Sequence, residues 1–434
     1  MTSTLHWQSK VYLALSALIS PLTPWLLKIR VQKHREDPKR WPEKLGLQMA
    51  THGDTPVLWL HGVGLGELAA LRGLVRELLQ LNPQIQLLIT SSAKSSVHTA
   101  STFSEPQVIH QFCPLDVPQV LERFLAHWRP RAFVVCDQDL WPRTLITLAR
   151  AQVPAFWVNA RISEHSLRAR RRFPGLYRDL LEHFHAIYTT DQTMAARLKR
   201  LGAQDSQINL QPSLKRAAPP LDTETPETEP WWNRLADISY WALVSSHAAD
   251  EALAYAAQKQ CQTRGNPIRL VLIPRDLARL ATIESHIETV GLTSMRISGW
   301  PIESTDNLVD VIIVDQYGRL GPALQFARWA LIGGTQDAAI GGHNPWEAIA
   351  LGCPIMAGLQ TTNFAEDYAL LQQHQAVTTV QDPDTVFATL HRSGVDQAKR
   401  AGALRLSGSA AVEHMAQLIL NAAHLGERTH VELG

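Results

Sequence analysis

The residues of this sequence best suited to chemistry are two glycine pairs and the short polar segment that follows them. Gly333-Gly334 and Gly341-Gly342 precede Asn344, Pro345 and Glu347. Asn, Pro and Glu in this order are typical of a helix N-terminus, where backbone N–H groups and the positive end of the helix dipole attract anions. Glycine pairs favour close approach of the backbone to a partner. The segment therefore predicts either an anion site with free loop N–H groups or a well-capped surface helix.

A candidate for acid–base chemistry is Glu67, which follows an apolar run and three glycines at alternate positions. The run is Val57–His61, and the glycines are Gly62, Gly64 and Gly66. This is not the dinucleotide-binding fingerprint, because glutamate stands where that fingerprint needs its third glycine. A helix N-terminus favours an ionised carboxylate, which suits a general base. The spacing alone leaves two interpretations: a catalytic base, or a carboxylate that only complements the helix dipole.

The composition excludes a globally basic nucleic-acid-binding protein. Lys and Arg number 41 against 40 Asp and Glu, a formal charge of +1, so any basic patch must be local. The 434 residues, 45% of them hydrophobic, predict two domains with substantial cores. The cysteines are widely spaced and predict buried thiols in a reducing compartment: Cys113, Cys136, Cys261 and Cys353. The 18 histidines show no metal-binding spacing, so neither a metal nor another cofactor is expected.

The N-terminal segment is predominantly apolar from Val11 to Leu27 and is interrupted by Pro21 and Pro24. It is short for a membrane-spanning helix, and Trp25 and the basic residues after it do not fit a signal-peptide cleavage site. A buried N-terminal helix is one alternative. We favour a membrane-surface or shallow anchor, because six basic residues follow that could contact anionic headgroups on the cytoplasmic side. They are Lys28, Arg30, Lys33, Arg35, Lys39 and Arg40.

Short apolar runs alternate with helical patterns along the chain, which predicts an α/β fold. The predicted strands are Val57–His61, Ile85–Thr90, Phe133–Cys136, Val153–Val158, Ala242–Ser246, Leu270–Ile273, Val311–Val314 and Trp329–Ile332. A Pro-, Thr- and Glu-rich stretch reads as a linker. The predicted organisation is a membrane-associated segment at 1–35, a first domain at 36–216, a linker at 217–232, a second domain at 233–411 and a C-terminal helix at 412–434 that crosses back to the first domain.

Three segments resemble motifs of bacterial 3-deoxy-D-manno-octulosonic acid (Kdo) transferases. GGHNPWEA, from Gly341 to Ala348, is similar to GGHNxxEP of that family, and WLHGVGLGE, from Trp59 to Glu67, is similar to WIHAxSxGE. NARISEHS, from Asn159 to Ser166, resembles NARLSExS. Further matches follow the family's order as far as Phe364.

The resemblance implies a GT-B-type glycosyltransferase, with two Rossmann-like domains facing a central cleft. It implies transfer of Kdo from CMP-Kdo to a lipid A precursor at the cytoplasmic face of the inner membrane. Glu67 would be the general base. The donor-binding residues would be Arg275, Gly333, Gly334, Thr335, Gly341, Gly342, His343, Asn344 and Glu347. The acceptor-side residues would be His61, Asp137, Asp139, Asn159, Arg161 and Ser163.

Several positions depart from the family pattern. Asp137 and Asp139 replace two glutamates of an ExExWP motif, Gly64 replaces a serine, and Asp276 replaces the histidine of PRH. Arg319 stands where the family has glutamate in DxxGEL, which reverses a charge in the nucleotide-facing region. The departures at Arg319 and Asp276, together with an altered turn at Ser91–Ser96, keep a rival open, a paralogous glycosyltransferase with another nucleotide sugar or acceptor. A second rival is a catalytically silent membrane scaffold.

Overall fold

The computed structural model of the protein describes residues 5–97, 103–225, 229–300 and 309–426. The chain divides into two units, of which the first comprises Met1–Ala218 and Ser407–Gly434 and the second comprises Pro219–Leu406. Parts of all five predicted segments lie outside the described residues: 1–4 of the N-terminal segment, 98–102 of the first domain, 226–228 of the linker, 301–308 of the second domain and 427–434 of the C-terminal helix.

The first unit is built on a seven-stranded parallel sheet of order β3-β2-β1-β4-β5-β6-β7. Its strands are β1 (Val57–His61), β2 (Gln86–Ser91), β3 (Val108–Phe112), β4 (Ala132–Cys136), β5 (Ala155–Val158), β6 (Phe184–Thr189) and β7 (Ile208–Leu210). Its helices after β1 are Leu65–Leu81, Pro118–Trp128, Pro142–Arg150, Glu164–Arg170, Pro174–Glu182 and Gln192–Leu201. Two apolar cores cover the two faces of the sheet, as parallel sheets require.

The second unit contains another seven-stranded parallel sheet, of order β10-β11-β9-β8-β12-β13-β14. Its strands are β8 (Tyr240–Ser246), β9 (Arg269–Pro274), β10 (Ser294–Arg296), β11 (Val311–Ile313), β12 (Ala330–Ile332), β13 (Ile355–Ala357) and β14 (Thr378–Thr379). Its helices are Ala248–Thr263, Leu280–Thr289, Leu320–Leu324, Trp346–Ala350, Ala365–Gln373 and Pro383–Leu390.

The predicted α/β fold and all eight predicted strands are confirmed, with ends that differ by at most two residues. Two boundaries were wrong. The C-terminal helix begins at Val395, not near Val412, and runs to Ala422. The predicted linker extends too far, because Trp232 is buried in the core of the second unit.

Each sheet has a point at which its strand order reverses, and ligands of open α/β sheets bind beside the carboxyl ends of the strands at such points. In the first unit this point lies between β1 and β4, which end at His61 and Cys136. In the second unit it lies between β8 and β12, which end at Ser246 and Ile332. The topology therefore marks one candidate edge in each unit.

The N-terminal segment forms two helices, Trp7–Ile19 and Thr23–Gln32, joined by a single 3₁₀ turn. Polar contacts fix the first of them to the first unit. The Ser9 hydroxyl donates to Asp179 at 2.6 Å, and the Tyr12 hydroxyl donates to Asp116 at 2.8 Å. The opposite side of the two helices is apolar and exposed, as Trp7, Val11, Leu18, Leu22 and Trp25 show. By length and composition Trp7–Gln32 could cross a membrane.

Candidate functional site

In the first unit, three carboxylates and two basic groups interact beyond the ends of β1, β4 and β5. Burial raises the pKa of the Asp137 carboxyl; Arg161 and Lys215 oppose this rise, and Glu67 adds to it. Burial also raises the pKa of Asp139, where Glu67 acts in the same direction. The predicted base and the two acidic acceptor-side residues therefore lie close enough to influence one another, with cations beside them. Asp137 has φ +70°, a backbone conformation that asparagine and aspartate adopt more readily than other residues with a Cβ.

Glu67 lies in the first turn of the helix Leu65–Leu81, and one of its oxygens is already engaged. Oε2 accepts a hydrogen bond from the backbone N–H of Gly64 at 3.0 Å. This is the reciprocal half of a capping box, which satisfies one N–H at the helix start. The side chain is half-buried. Glu67 thus complements the helix start, and the same contact fixes the orientation of its carboxylate.

His61 is the last residue of β1 and does not reach solvent. Its Nδ1 is 2.9 Å from Oγ1 of Thr90, and its Nε2 accepts a hydrogen bond from the Trp141 indole at 3.5 Å. Thr90 Oγ1 also accepts the indole N–H of Trp59 at 2.8 Å. An acceptor at Nε2 places the proton on Nδ1, so the ring is neutral and orients Trp141.

The buried ring of His61 has a consequence for acid stability. Burial lowers its pKa to about 4, whereas an unfolded histidine titrates near 6.5. Below pH 6.5 the unfolded chain therefore binds a proton that the folded chain does not, and the free energy of unfolding falls by about 3 kcal/mol by pH 4. We expect His61→Gln to be less stable than the native protein at pH 7 and the gap to narrow on acidification. Urea titrations between pH 7 and pH 4 measure the difference in the free energy of unfolding between the two proteins, and His185→Gln, at an exposed histidine, is the control. A difference that does not change with pH would contradict a lowered pKa of His61.

The other predicted acceptor-side residues lie at the end of β5 and after it. Asn159 is 5% exposed and has φ +49°, and its Oδ1 has no hydrogen-bond partner in the described part of the chain. Ser163 caps the helix Glu164–Arg170 by accepting the N–H of Ser166 at 3.1 Å. The backbone N–H of Arg161 points to the carbonyl of Asp137 at 3.5 Å. Arg161 therefore adjoins the carboxylate cluster, and Ser163 stabilises the helix that follows it.

A cavity of about 650 Å³ lies between the N-terminal helices and the segment after β3. Its apolar walls include Leu15, Leu26, Leu115 and Trp141. Its polar residues include a buried cluster in which Glu36 accepts hydrogen bonds from Lys44 at 2.5 Å and from Arg30 at 2.6 Å. The cavity therefore has the amphipathic lining that a molecule with an apolar chain and a polar end requires.

In the second unit, the glycine-rich segment follows β12 and folds back on itself. Gly334, Gly341 and Gly342 have φ of +69°, +74° and +83°, which disfavour any side chain. A Cβ on Gly333 would lie 2.4 Å from the carbonyl oxygen of Ser245. The glycines are therefore explained by the path of the chain and by its close approach to β8.

The backbone N–H groups of this loop are largely engaged, contrary to the expectation that they are free for an anion. Gly342 donates to the carbonyl of Gly334 at 2.8 Å, and His343 donates to that of Gly333 at 3.2 Å. The N–H groups of Gly334 and Gln336 donate to the carboxylate of Asp250, at 2.7 and 3.2 Å. An anion at this edge must consequently be recognised chiefly by side chains.

Asp250 is the principal residue that sequence reasoning missed. Its side chain is fully buried, and it also accepts the N–H of His247 at 3.0 Å. Burial raises the pKa of this carboxyl, and the three N–H donors oppose the rise. The signal in the sequence was its place three residues after His247, the N3 position of a capping box. Asp250 thus joins the start of the helix after β8 to the glycine loop after β12.

The polar residues after the second glycine pair surround a short helix, Trp346–Ala350. Asn344 Oδ1 accepts the N–H of Trp346 at 3.1 Å and its Nδ2 contacts Glu347 at 3.4 Å, while the N-cap position is Pro345, one residue after Asn344. Five residues give a weak dipole, so the predicted dipole contribution is small. Thr335 is buried and braces the loop, because its hydroxyl donates to the carbonyl of Ile332 at 2.6 Å.

Two histidines and an arginine meet at the carboxyl ends of β8, β9 and β12. His247 Nε2 is 2.8 Å from His343 Nε2, and the rings are nearly parallel. Burial lowers the pKa of His343 to about 4, and His247 and Arg275 add to this effect. Arg275 is exposed directly after β9. This edge therefore concentrates positive and neutral nitrogen donors.

The charge reversal at Arg319 is balanced within the second unit. Its guanidinium donates to Glu229 at 2.7 Å, and Glu229 also accepts the indole N–H of Trp232 at 3.0 Å. The structure therefore gives Arg319 a stabilising partner. Among the described residues, no group of three or more His, Cys, Asp and Glu side chains could hold a metal ion.

Comparison with known proteins places the sequence among sugar transferases. Residues 39–218 match the family described as 3-deoxy-D-manno-octulosonic-acid transferase (kdotransferase). A probable mitochondrial 3-deoxy-D-manno-octulosonic acid transferase of Arabidopsis thaliana is 26% identical over 378 residues, which cover 86% of this chain and 84% of the relative. The 3-deoxy-D-manno-octulosonic acid transferase of Haemophilus influenzae is 25% identical, and the match covers 82% of each chain.

Solved structures support the same architecture. The UDP-GlcNAc 2-epimerase of Neisseria meningitidis aligns with a TM-score of 0.57 at 12% identity, over 84% of this chain and 99% of that one. A UDP-N-acetylglucosamine 2-epimerase of Listeria monocytogenes, described as putative, aligns with a TM-score of 0.53 at 11% identity, over 87% of this chain and 98% of that one. At such identities the likeness concerns the fold alone, which is of the GT-B type.

Proposed function

We propose that this chain, which belongs to the 3-deoxy-D-manno-octulosonic acid (Kdo) transferase family, transfers Kdo from CMP-Kdo to a hydroxyl group of a lipid A precursor. The observation that carries the proposal is the placement of the family motifs. Glu67 follows β1, and the glycine loop with Asn344 follows β12, so each lies at the point where the strand order of its sheet reverses.

Glu67 is the proposed general base of the acceptor side. It removes the proton from the attacking hydroxyl, while the N–H of Gly64 holds its Oε2 in place. The carboxylates of Asp137 and Asp139 accept hydrogen bonds from other hydroxyls of the acceptor. Arg161 and Lys215, whose charges act on Asp137, limit the mutual repulsion of the three acids.

The second unit binds the nucleotide in this proposal. Arg275, His343 and Asn344 contact the phosphate, on which negative charge develops as the bond to the sugar breaks. Glu347 accepts hydrogen bonds from ribose hydroxyls. Asp250 and Thr335 hold the loop in shape from below, and the glycines let the chain pass close to β8. Because most loop N–H groups are engaged, the side chains supply most of the electrostatic stabilisation.

The acceptor's lipid character is supported by the cavity of about 650 Å³ beside the N-terminal helices. The apolar walls would bury an acyl chain, which stabilises the complex by about 25 cal/mol for each Å² of apolar surface removed from water. Arg30 and Lys44 are among the polar residues that line the cavity. Trp141 lines this cavity and is hydrogen-bonded to His61. One wall of the cavity is therefore linked to the strand that precedes Glu67.

The exposed apolar side of the N-terminal helices supports attachment to the cytoplasmic face of the inner membrane. The contacts of Ser9 and Tyr12 hold the first helix against the protein, which favours a helix lying in the membrane surface over one that spans it. The charges of Lys28 and Lys33 lie beside the apolar residues and suit anionic headgroups.

We expect the double substitution of Leu18 and Trp25 by glutamate to release the protein from membranes. The two side chains are 74% and 61% exposed, so the change leaves the core intact. Burial of each contributes about 1.5–3 kcal/mol, and vesicle partitioning should weaken by at least about 100-fold. Sedimentation with anionic vesicles measures this, and Leu406→Glu, at a 66% exposed leucine of the second unit, is the matched control. Unchanged partitioning of the double variant would contradict surface attachment.

The choice of nucleotide distinguishes this proposal from a paralogue that uses another donor, which the departures at Asp276 and Arg319 keep open. Thermal unfolding is to be measured with CMP, UDP and GDP at equal concentration. Selective stabilisation by CMP is the expected result, because a ligand that binds only the folded state raises its stability. A preference for UDP or GDP would favour the paralogue, and stabilisation by none of them would favour a silent scaffold.

A further inference from the structure

The contact between His247 and His343 restricts how many protons the two rings can carry. A distance of 2.8 Å between the two Nε2 atoms is a hydrogen bond, so one nitrogen carries the proton and the other accepts it. The neutral His247–His343 pair meets this condition, and so does the pair with one added proton on an outer nitrogen. Two added protons would set two N–H groups against each other, so the pair holds at most one positive charge.

The groups around His343 favour the neutral form of its ring in the structure. Burial, together with Arg275, lowers the pKa of His343 to about 4. Asp250 faces the pair from the helix Ala248–Thr263, but its carboxylate is occupied by three backbone N–H groups. The neighbouring Glu251 is neutralised by Arg279, at 2.7 Å. Both carboxylates are therefore engaged by other donors, and in the described residues neither accepts a hydrogen bond from the two imidazole rings.

A bound phosphate would reverse this balance. It would neutralise Arg275 and place negative charge beside the His247–His343 pair, and both changes favour an imidazolium. A phosphate monoester is almost fully dianionic above pH 7, because its second pKa is about 6. The most favourable partner of a singly charged histidine pair beside one arginine is such a dianion.

We infer that His247 is a further residue of the donor site, and that the His247–His343 pair takes up one proton from solvent when the nucleoside monophosphate occupies it. The inference rests on the proposed function. During transfer the bond between the sugar carbon and the phosphate oxygen breaks, and its electron pair stays on that oxygen. The phosphodiester monoanion becomes a monoester dianion, and the proton held by the pair balances the added charge. Glu67 takes the proton of the acceptor hydroxyl, so the two transfers are separate.

Calorimetric titration with CMP tests this inference without any turnover. Titrations near pH 7.5 in buffers of different ionisation enthalpy give the number of protons taken up on binding. We expect about one proton per CMP for the native chain, and the dissociation constant should fall about tenfold from pH 8.5 to 7.5. Cytidine, which lacks the phosphate, should bind with no uptake.

Variants locate the proton. His247→Gln keeps a hydrogen-bonding group beside His343 but cannot titrate there, so uptake should fall to near zero and the affinity should become almost independent of pH. His286→Gln, at an exposed histidine of the second unit, should behave as the native chain. CMP binding without uptake by the native chain, or unchanged uptake in His247→Gln, would overturn the inference and leave the proposed function intact. A native chain that does not bind CMP would overturn the proposed donor itself.

Discussion

Replacing Glu67 by glutamine is expected to lower the turnover of Kdo transfer by about 10²–10⁴-fold, because that is the usual contribution of a general base. The substitution is informative because the two functions of this side chain separate. Glutamine can accept the N–H of Gly64 as glutamate does, since either residue completes a capping box. The helix start should therefore persist while the base is lost.

Both the turnover and the thermal stability of Glu67→Gln have to be compared with those of the native protein. Glu122→Gln, at an exposed carboxylate of the helix Pro118–Trp128, is the matched control and should retain native turnover. The thermal midpoint of Glu67→Gln should stay close to the native value, and its Michaelis constants should change little. Near-native turnover of Glu67→Gln would remove this residue from the role of base and leave it as a helix cap.

Replacing Asp250 by alanine is expected to cost both stability and donor binding. Three backbone N–H groups, of His247, Gly334 and Gln336, lose their acceptor. An unsatisfied buried donor costs about 1–3 kcal/mol, so the free energy of unfolding should fall by about 2–5 kcal/mol. The glycine loop would also lose its connection to the helix after β8, and the Michaelis constant for the donor should rise more than tenfold. Urea unfolding and donor saturation curves measure the two effects.

Asp250→Asn separates the loop contact from general stability. Oδ2 of Asp250 receives two of the three N–H groups, and Oδ1 receives that of Gln336. An asparagine can keep the first two contacts, but its amide nitrogen then faces the N–H of Gln336. We expect a smaller loss of stability than in Asp250→Ala, with a clear rise in the Michaelis constant. Asp237→Ala, at an exposed carboxylate, is the control; native donor binding in both Asp250 variants would show that the loop does not depend on this contact.

Most of the strands that could be predicted are buried on both faces and form continuous apolar runs, although the short, fully buried strand β13 was missed. β1 and β4 are fully buried, and their predicted ends were within one residue of the observed ones. β10 and β14 were missed because they are two or three residues long, partly polar and at the edges of their sheet. The C-terminal helix was placed too late because its first half, up to Leu406, has little apolar periodicity.

The candidate site could be predicted only where it is continuous in sequence. A helix begins at Trp346, close to where the spacing of Asn344 and Glu347 indicated, and the amide oxygen of Asn344 accepts the N–H of Trp346, although the N-cap position is Pro345. The state of the loop N–H groups could not be predicted, because their acceptor Asp250 is 84 residues from Gly334 and 86 from Gln336. The contact between His247 and His343 spans 96 residues for the same reason. Local motifs therefore indicated which residues lie at the strand ends, and tertiary contacts decided which of their groups remain available.

The most direct measurement supplies the purified protein with CMP-Kdo, generated in place, and a tetra-acylated lipid A precursor in detergent or vesicles. We expect mass spectrometry to find the precursor heavier by whole Kdo units, with release of CMP, and Glu67→Gln to form this product at least about 100-fold more slowly. An unmodified precursor in the presence of a correctly folded protein and intact CMP-Kdo would show that this chain does not transfer Kdo to lipid A.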